Sequence, residues 1–303
     1  MKDLIAAGSI SIDLYFRGKS LTFKNSRFQL ALGGKYTADF FHLAVGGGAV
    51  NVAIGAAKFG LRTAILGTIG DNIFKPIIFD KLKKDNISYR LCDIVKGYYN
   101  ISSIILADNG ERSIIHFATF NQKLFDHGIK LTSLKEAKII YLGNLSDISF
   151  QEKVRILTFA KKNKILTVLN LGNQDCRLPK KELLLLLKNT DILILNGHEF
   201  ANLVKAQYKD IFFEENVINH YIPQLSDKLI VITEGEKGSF AYWQNKIFYQ
   251  KAKKVEKIVD TTGCGDGYTA AFIANYYKTF NIEESMEKAA DYAAKILSHI
   301  GAN

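Results

Sequence analysis

Lys138-Ile139-Ile140-Tyr141-Leu142, Ile165-Leu166-Thr167-Val168-Leu169, Asp191-Ile192-Leu193-Ile194-Leu195 and Leu229-Ile230-Val231-Ile232-Thr233 are four short apolar runs in the part of the chain beyond about residue 130. Each is nearly continuous in its hydrophobicity, the pattern of a strand buried on both faces. Between and after them lie Phe150 to Lys162, Lys180 to Lys188, Glu199 to Lys205 and Asn216 to Gln224, whose apolar residues recur at helical spacing. Strands of about five residues separated by helices build βαβ units and a parallel sheet. The expected fold is therefore α/β, a doubly wound and mostly parallel sheet flanked by helices.

Working outward, the first strand signal is Leu4 to Ala7, ended by Gly8-Ser9. A mixed segment broken by Gly18, Gly33 and Gly34 runs to about Val45. Gly46-Gly47-Gly48 then opens an alanine-rich run, Ala49 to Phe59, which Gly60 closes as a helix C-cap would. Thr63 to Leu66 reads as a strand and Ile73 to Leu82 as a helix with Pro76 in its first turn. Ser102 to Ala107 and Arg112 to Phe117 flank Asp108-Asn109-Gly110, a hairpin signal. A second hairpin (Ser239 to Trp243, Lys246 to Tyr249) precedes two helices, Asp266 to Tyr277 and Ile282 to His299. No linker or repeat interrupts the pattern. The reading is a single domain over 1–303 with a β-rich insertion at about 12–45 and 97–118.

Composition excludes several classes. Cys92, Cys176 and Cys264 are odd in number and far apart, so neither a disulfide framework nor a zinc knuckle is indicated, and a reducing cytoplasm is expected. The net charge of +10 is spread along the chain rather than gathered in a patch, which argues against nucleic acid as a partner. The most apolar stretch, around 183–195, is broken by Lys188, Asn189 and Asp191, so no membrane span is expected.

Chemistry is concentrated in Asp260-Thr261-Thr262-Gly263-Cys264-Gly265-Asp266-Gly267-Tyr268-Thr269-Ala270-Ala271-Phe272. Gly263 and Gly265 let the backbone approach a ligand, and the chain then enters a helix at Asp266. A glycine-rich turn feeding a helix N-terminus presents unpaired N–H groups to an anion, for which phosphate is the natural guest. Asp266 stands where it can take a proton from a hydroxyl attacking that phosphate. Read by itself, Asp266 is also an acceptable helix cap.

The thirteen residues together resemble the C-terminal signature of the ribokinase-like carbohydrate kinases, the PfkB family. Four further segments resemble family landmarks in the same order: Gly8 to Asp13, Gly46 to Asn51, Asn196 to Glu199 (N-x-x-E) and Thr233 to Gly238 (T-x-G-x-x-G). Ile300-Gly301-Ala302 resembles the usual end of the last helix. The resemblance implies an ATP-dependent kinase that phosphorylates a hydroxymethyl group of a sugar or nucleoside. It implies Asp266 as general base and Gly263, Cys264 and Gly265 as an anion hole. Asp13, Gly46, Gly47 and Asn51 would hold the acceptor, and Asn196, Thr233, Gly235 and Gly238 the nucleotide. Glu199 would act on Mg2+ through water, and Asp260 would mark a site for a monovalent cation such as K+. The β-rich insertion resembles the family's lid. Its residues Ile104, Ile114 and Phe117 would face the acceptor or join a homodimer through the lid.

Two departures stand out. Cys264 replaces the usual alanine of the anion hole, and a helix N-terminus is expected to lower its pKa and make it reactive. Ala290 and Tyr292 stand near where the family often carries an adenine-proximal Asn, which leaves the base preference open. Tyr15, Phe16, Tyr98 and Tyr99 leave room for a stacked nucleobase. Arg17, Lys19 and Arg112 are the cations available to a phosphorylated sugar. A catalytically silent binding protein is the alternative from a different class.

Overall fold

The computed structural model describes residues 1–21, 23–24, 27–119, 131–143 and 148–303; positions 22, 25 and 26 of the expected lid segment lie outside it. The chain opens with β1 (Lys2–Ala7), β2 (Ser11–Arg17), the short pair β3 (Phe23–Lys24) and β4 (Arg27–Phe28), and β5 (Phe40–Gly46). Next come α1 (Gly48–Lys58), β6 (Thr63–Asp71), α2 (Lys75–Lys84), β7 (Ser88–Lys96), β8 (Asn100–Leu106) and β9 (Arg112–Ala118). The alternating half follows as β10 (Ala137–Leu142), α3 (Phe150–Lys162), β11 (Leu166–Leu169), α4 (Asn173–Cys176), α5 (Lys180–Lys188), β12 (Ile192–Asn196), α6 (Gly197–Val204), α7 (Val217–Tyr221) and β13 (Leu229–Thr233). The chain closes with the hairpin β14 (Ser239–Trp243) and β15 (Lys246–Gln250), then α8 (Cys264–Thr279) and α9 (Ile282–Leu297).

Among the described residues the large sheet has the order β15-β14-β13-β12-β11-β10-β1-β6-β7. Pairing is parallel from β12–β13 through to β6–β7, and β14 and β15 add an antiparallel edge. Strand order reverses at β1, which lies between β10 and β6. The C-terminal ends of strands at such a reversal leave a crevice, the usual ligand position in an open α/β sheet. Alternation along β1 divides the core. Leu4 and Ala6 pack beneath α1, α8 and α9 with Ala53, Phe272 and Ala289. Ile5 and Ala7 pack on the other face with Ile156, Leu186 and Phe200 from α3, α5 and α6.

A separate small sheet, the lid, has the order β5-β2-β8-β9. β2 runs antiparallel to β5 and parallel to β8, and β8 is antiparallel to β9. The hairpin expected about Asn109-Gly110 is present with a looser tip: Ala107 N–H donates to the Glu111 carbonyl at 2.8 Å, and Gly110 takes φ of 82°. β2, β5 and β7 are strands that the apolar pattern did not reveal. The helix expected over 216–224 ends at Tyr221, because Pro223 opens a separate 3-10 turn.

Candidate active site

The turn into α8 is held in a left-handed conformation that favours glycine. Gly263 has φ of 74°, and a Cβ built on it would fall 2.1 Å from the Ala302 Cβ and 3.4 Å from Asn51 Nδ2. Asp260 holds the turn from below. It is wholly buried; Oδ1 accepts from the Thr262 amide at 2.8 Å and Oδ2 from the Gly301 amide at 3.0 Å. One carboxylate thus ties the turn to the segment following α9. No side chain caps α8. Gly265 is exposed, and a Cβ on it would meet nothing within 4 Å, so the turn fronts open space. Asp266 follows in the first helical turn, partly exposed.

A second helix N-terminus, that of α1, meets the same point. Gly47 has φ of 95°, and a Cβ there would lie 2.4 Å from the Ser9 carbonyl oxygen. Ser9 Oγ accepts from the Gly48 amide at 3.0 Å. Asn51, one turn into α1, donates from Nδ2 to Asp266 Oδ2 at 2.8 Å, and its Oδ1 accepts from Asn303 Nδ2 at 2.9 Å. The second bond fixes which end of the Asn51 amide faces the aspartate. Burial pushes the Asp266 carboxyl up to about 6; the Asn51 hydrogen bond opposes this and the charge of Asp13 adds to it. That range suits a base working near neutrality.

Asp13, on β2, is buried, and its Oδ1 accepts from Ser11 Oγ at 2.8 Å. A Cβ on Gly46 would sit 1.9 Å from Asp13 Oδ2, so this glycine makes room for the carboxylate. Burial raises the Asp13 pKa, with Ser11, Ser102 and His116 acting in the opposite direction. Asp13, Gly46, Gly47, Asn51, Gly263 and Asp266 are therefore one constellation built from two helix N-termini and the lid's inner strand.

Asn196 and Glu199 form a reciprocal capping box on α6. Asn196 Oδ1 accepts from the Glu199 amide at 2.8 Å, and Glu199 Oε2 accepts from the Asn196 amide at 2.9 Å. The N-x-x-E spacing carries that structural signal as well as the family one. Burial pushes the Glu199 carboxyl up to about 7, with the charge of Asp266 adding to the rise. Thr233 pairs with Asn196 at the ends of β13 and β12, and its Oγ1 donates to the Leu195 carbonyl at 3.4 Å. Gly235 (φ 56°) has open space where a Cβ would be. Gly238 does not: with φ of 102°, a Cβ would come within 2.1 Å of the Gln250 carbonyl, so the chain's own β14–β15 packing already requires that glycine. A cavity of about 460 Å³ opens between residues 254–259 and Ala294, Lys295 and Ser298 of the last helix and its end.

Several expectations are corrected. Burial raises the pKa of the Cys264 thiol where a lowered one was expected, with the Arg112 guanidinium acting in the opposite direction. Ile104 is 1% exposed in a small cluster with Tyr15 and Leu106, so it belongs to the lid's interior and not to a docking face. Ala290 and Tyr292 are buried, Tyr292 packing edge-on against Phe59 with 5.2 Å between centroids, so they serve helix packing. Arg17 lies over the Phe40 ring at the end of β2 away from Asp13's neighbour Ser11.

Sequence reasoning named Arg112 only as a spare cation and passed over Ser9, Ser102, His116 and Asn303. Arg112, the first residue of β9, donates from its guanidinium to Thr261 Oγ1 in the turn before α8. A Cβ on Gly110 would lie 2.7 Å from Ile258 Cγ2, so the lid's tip rests on the same loop. These partners are distant in sequence and meet only through the fold.

The geometry agrees with what the chain resembles. Residues 1–303 match the family described as pfkB family carbohydrate kinase. Fructokinase-2 of Zea mays is 27% identical over 267 residues, covering 84% of this chain and 78% of that protein. A nucleoside kinase of Methanocaldococcus jannaschii is 24% identical over 314 residues, covering 94% and 86%. The solved structure of Arabidopsis thaliana ribokinase complexed with ribose and ATP superposes with a TM-score of 0.80 at 23% identity, covering 99% of this chain and 94% of that one. With the family matched over residues 1–303, the chain is a member of the pfkB family of carbohydrate kinases.

Proposed function

We propose that this protein transfers the γ-phosphate of ATP to a hydroxymethyl group of a sugar or nucleoside, with residues 1–303 acting as one kinase domain under the 12–45 and 97–118 lid. The observation that carries the reading is Asp266: a carboxyl pushed up to about 6, in the uncapped first turn of a helix and hydrogen-bonded to Asn51.

Asp13 and Asn51 accept from and donate to the acceptor's hydroxyls, in the space that Gly46 and Gly47 leave. Asp266 takes the proton of the attacking hydroxyl as its oxygen bonds to phosphorus and the bond to the ADP oxygen breaks. The amides of Gly263, Cys264 and Gly265 stabilise charge on the transferred phosphoryl oxygens. Arg112, beside Thr261, adds a positive charge to that end of the cleft. Asn196, Thr233, Gly235 and Gly238 line the nucleotide's path, and the 460 Å³ cavity beside the last helix suits the base.

Among the described residues no group of three or more acidic, His or Cys side chains converges. That suits Mg2+, which keeps most of its waters and leans on substrate phosphates. Glu199, half-buried and raised by its burial, is the carboxylate that such a cation would favour in ionised form, through water. Bound Mg2+ would neutralise charge on the phosphates. A monovalent cation such as K+ would lie against Asp260, using carbonyl oxygens, since both carboxylate oxygens already accept amides.

A homodimer through the lid is supported by Phe41, Ile115 and Phe117, which are 57%, 62% and 61% exposed. Three free cysteines support a reducing, cytoplasmic setting. The test is ADP release from ATP and Mg2+ with a panel of sugars and nucleosides. Release that requires an acceptor and falls by about two to four orders of magnitude in Asp266→Asn is expected. Near-normal turnover by that variant would remove Asp266 from the base role.

A further inference from the structure

Three strands of the lid bring three polar residues abreast. Asp13 on β2 is the register partner of Ser102 on β8, and Ser102 is the register partner of His116 on β9. Partners in adjacent strands point to the same face. Ser102 Oγ lies 3.1 Å from His116 Nδ1, and Ser11 Oγ donates to Asp13 Oδ1 at 2.8 Å. Ser11 and Ser102 are buried, whereas His116 is exposed at the row's open end.

Alternation along β9 identifies the face. Arg112, Ile114 and His116 share a side. Since Arg112 reaches Thr261 at the turn before α8, that side looks onto the site. Phe16, Phe41 and Phe117 point elsewhere, while Tyr15 shares the Asp13 face. Phe16 and Phe41 are register partners on the opposite face, their rings 5.4 Å apart, and Phe117 follows His116 on that outer side. Tyr15 and Tyr98 are 1% and 3% exposed and offer no face for stacking. The wall above the acceptor therefore carries the Asp13–Ser102–His116 row of hydrogen-bonding groups beside Ile114, which shares that side and is 48% exposed.

Resting on the kinase reading above, we propose that Ser102 and His116 are specificity-determining residues and that the acceptor is a free sugar, whose non-reacting hydroxyls bond to this row, in preference to a nucleoside. His116 presents its second ring nitrogen to the cleft while Ser102 orients the first. A polar row left without hydroxyl partners disfavours an acceptor whose distal end is a base, by the general rule that unpaired site groups discriminate strongly.

The test measures ADP release with ribose, fructose, adenosine and inosine, for the wild type, His116→Ala, His116→Asn and Ser102→Ala. The expected result is kcat/KM for at least one free sugar about tenfold or more above either nucleoside. His116→Ala raises that sugar's KM about tenfold with little change in kcat, as loss of one substrate hydrogen bond predicts, and His116→Asn recovers part of it. Ser102→Ala removes the same contact from the buried side and moves KM in the same direction. Nucleosides used as well as or better than sugars, or a sugar KM unmoved in both alanine variants, overturns this proposal and leaves the kinase reading intact. No acceptor-dependent release from the wild type with any compound overturns both.

Discussion

Replacing Asn51 by Ala removes the 2.8 Å hydrogen bond to Asp266 Oδ2 and should move the acidic limb of the pH–rate profile. Asp266 works as a base only when ionised, and its folded-state pKa is raised to about 6 by burial. Activity is therefore present above that value and lost as pH falls through it. The Asn51 bond favours the ionised form, so its removal raises the pKa further. Hydrogen bonds to charged groups contribute about 1.5–3 kcal/mol, and about 1.4 kcal/mol corresponds to one pKa unit. Asp266 is partly exposed, so water replaces some of the loss, and a shift of about one unit, to roughly 7, is expected. At pH 6 the variant should then lose about fivefold relative to the wild type from titration alone, and at pH 8 only about a tenth. The assay is kcat/KM for the acceptor from pH 5 to 9 by coupled ADP release, which reports the free enzyme. ATP titrates identically in both samples, so the displacement between the curves belongs to the protein. Asn51 is also proposed to bind the acceptor, and loss of that contact would lower the whole variant curve without moving its limb. An unmoved limb, or one displaced towards acid, would refute the assignment of the limb to Asp266 and of Asn51 as its partner.

The same raised pKa makes the ionised Asp266 a cost to the folded state above about pH 6, so Asp266→Asn should raise the thermal midpoint by a few degrees at pH 7.5 and by little at pH 4. Gly263→Ala places a methyl 2.1 Å from the Ala302 Cβ at a left-handed φ; loss of about 2 kcal/mol in denaturant unfolding is expected, with kcat lowered more than KM is raised. Arg112→Met, read by steady-state kinetics, should lower kcat about tenfold or more, since it removes the positive charge beside the anion turn. Lys153 Nζ binds both oxygens of buried Asp175 at 2.7 and 2.9 Å, so Lys153→Met should destabilise by about 3–5 kcal/mol in urea unfolding, and joint replacement with Asp175→Leu should recover much of it.

The parallel half of the sheet was legible because burial on both faces leaves continuous apolar runs such as 192–195, and α3 begins and ends where its pattern does. The turn at 260–266 was legible because glycines and an acid at fixed offsets have few alternative uses. β2 and β5 were not, since β2 carries Asp13 among its apolar residues and the burial of Phe40–Gly46 follows no simple period. β7 is an edge strand that carries Arg90, Asp93 and Lys96 among its apolar residues, which hides it. The Asp13–Ser102–His116 row and the Arg112–Thr261 contact depend on strand register, to which local pattern is blind. The expectation for Cys264 rested on its helix N-terminus and left out its burial, which raises the thiol's pKa.

Hairpin tips are ordinarily the first places to graft a fluorophore or epitope, because exposed loop ends tolerate insertion. The one at Asn109-Gly110 is an exception: it abuts Ile258, and its neighbour Arg112 grips Thr261, so cargo spliced there would lever on the turn into α8. The Gln244-Asn245 turn between β14 and β15 is exposed, sits at the opposite edge of the large sheet from β7, and is the better attachment point.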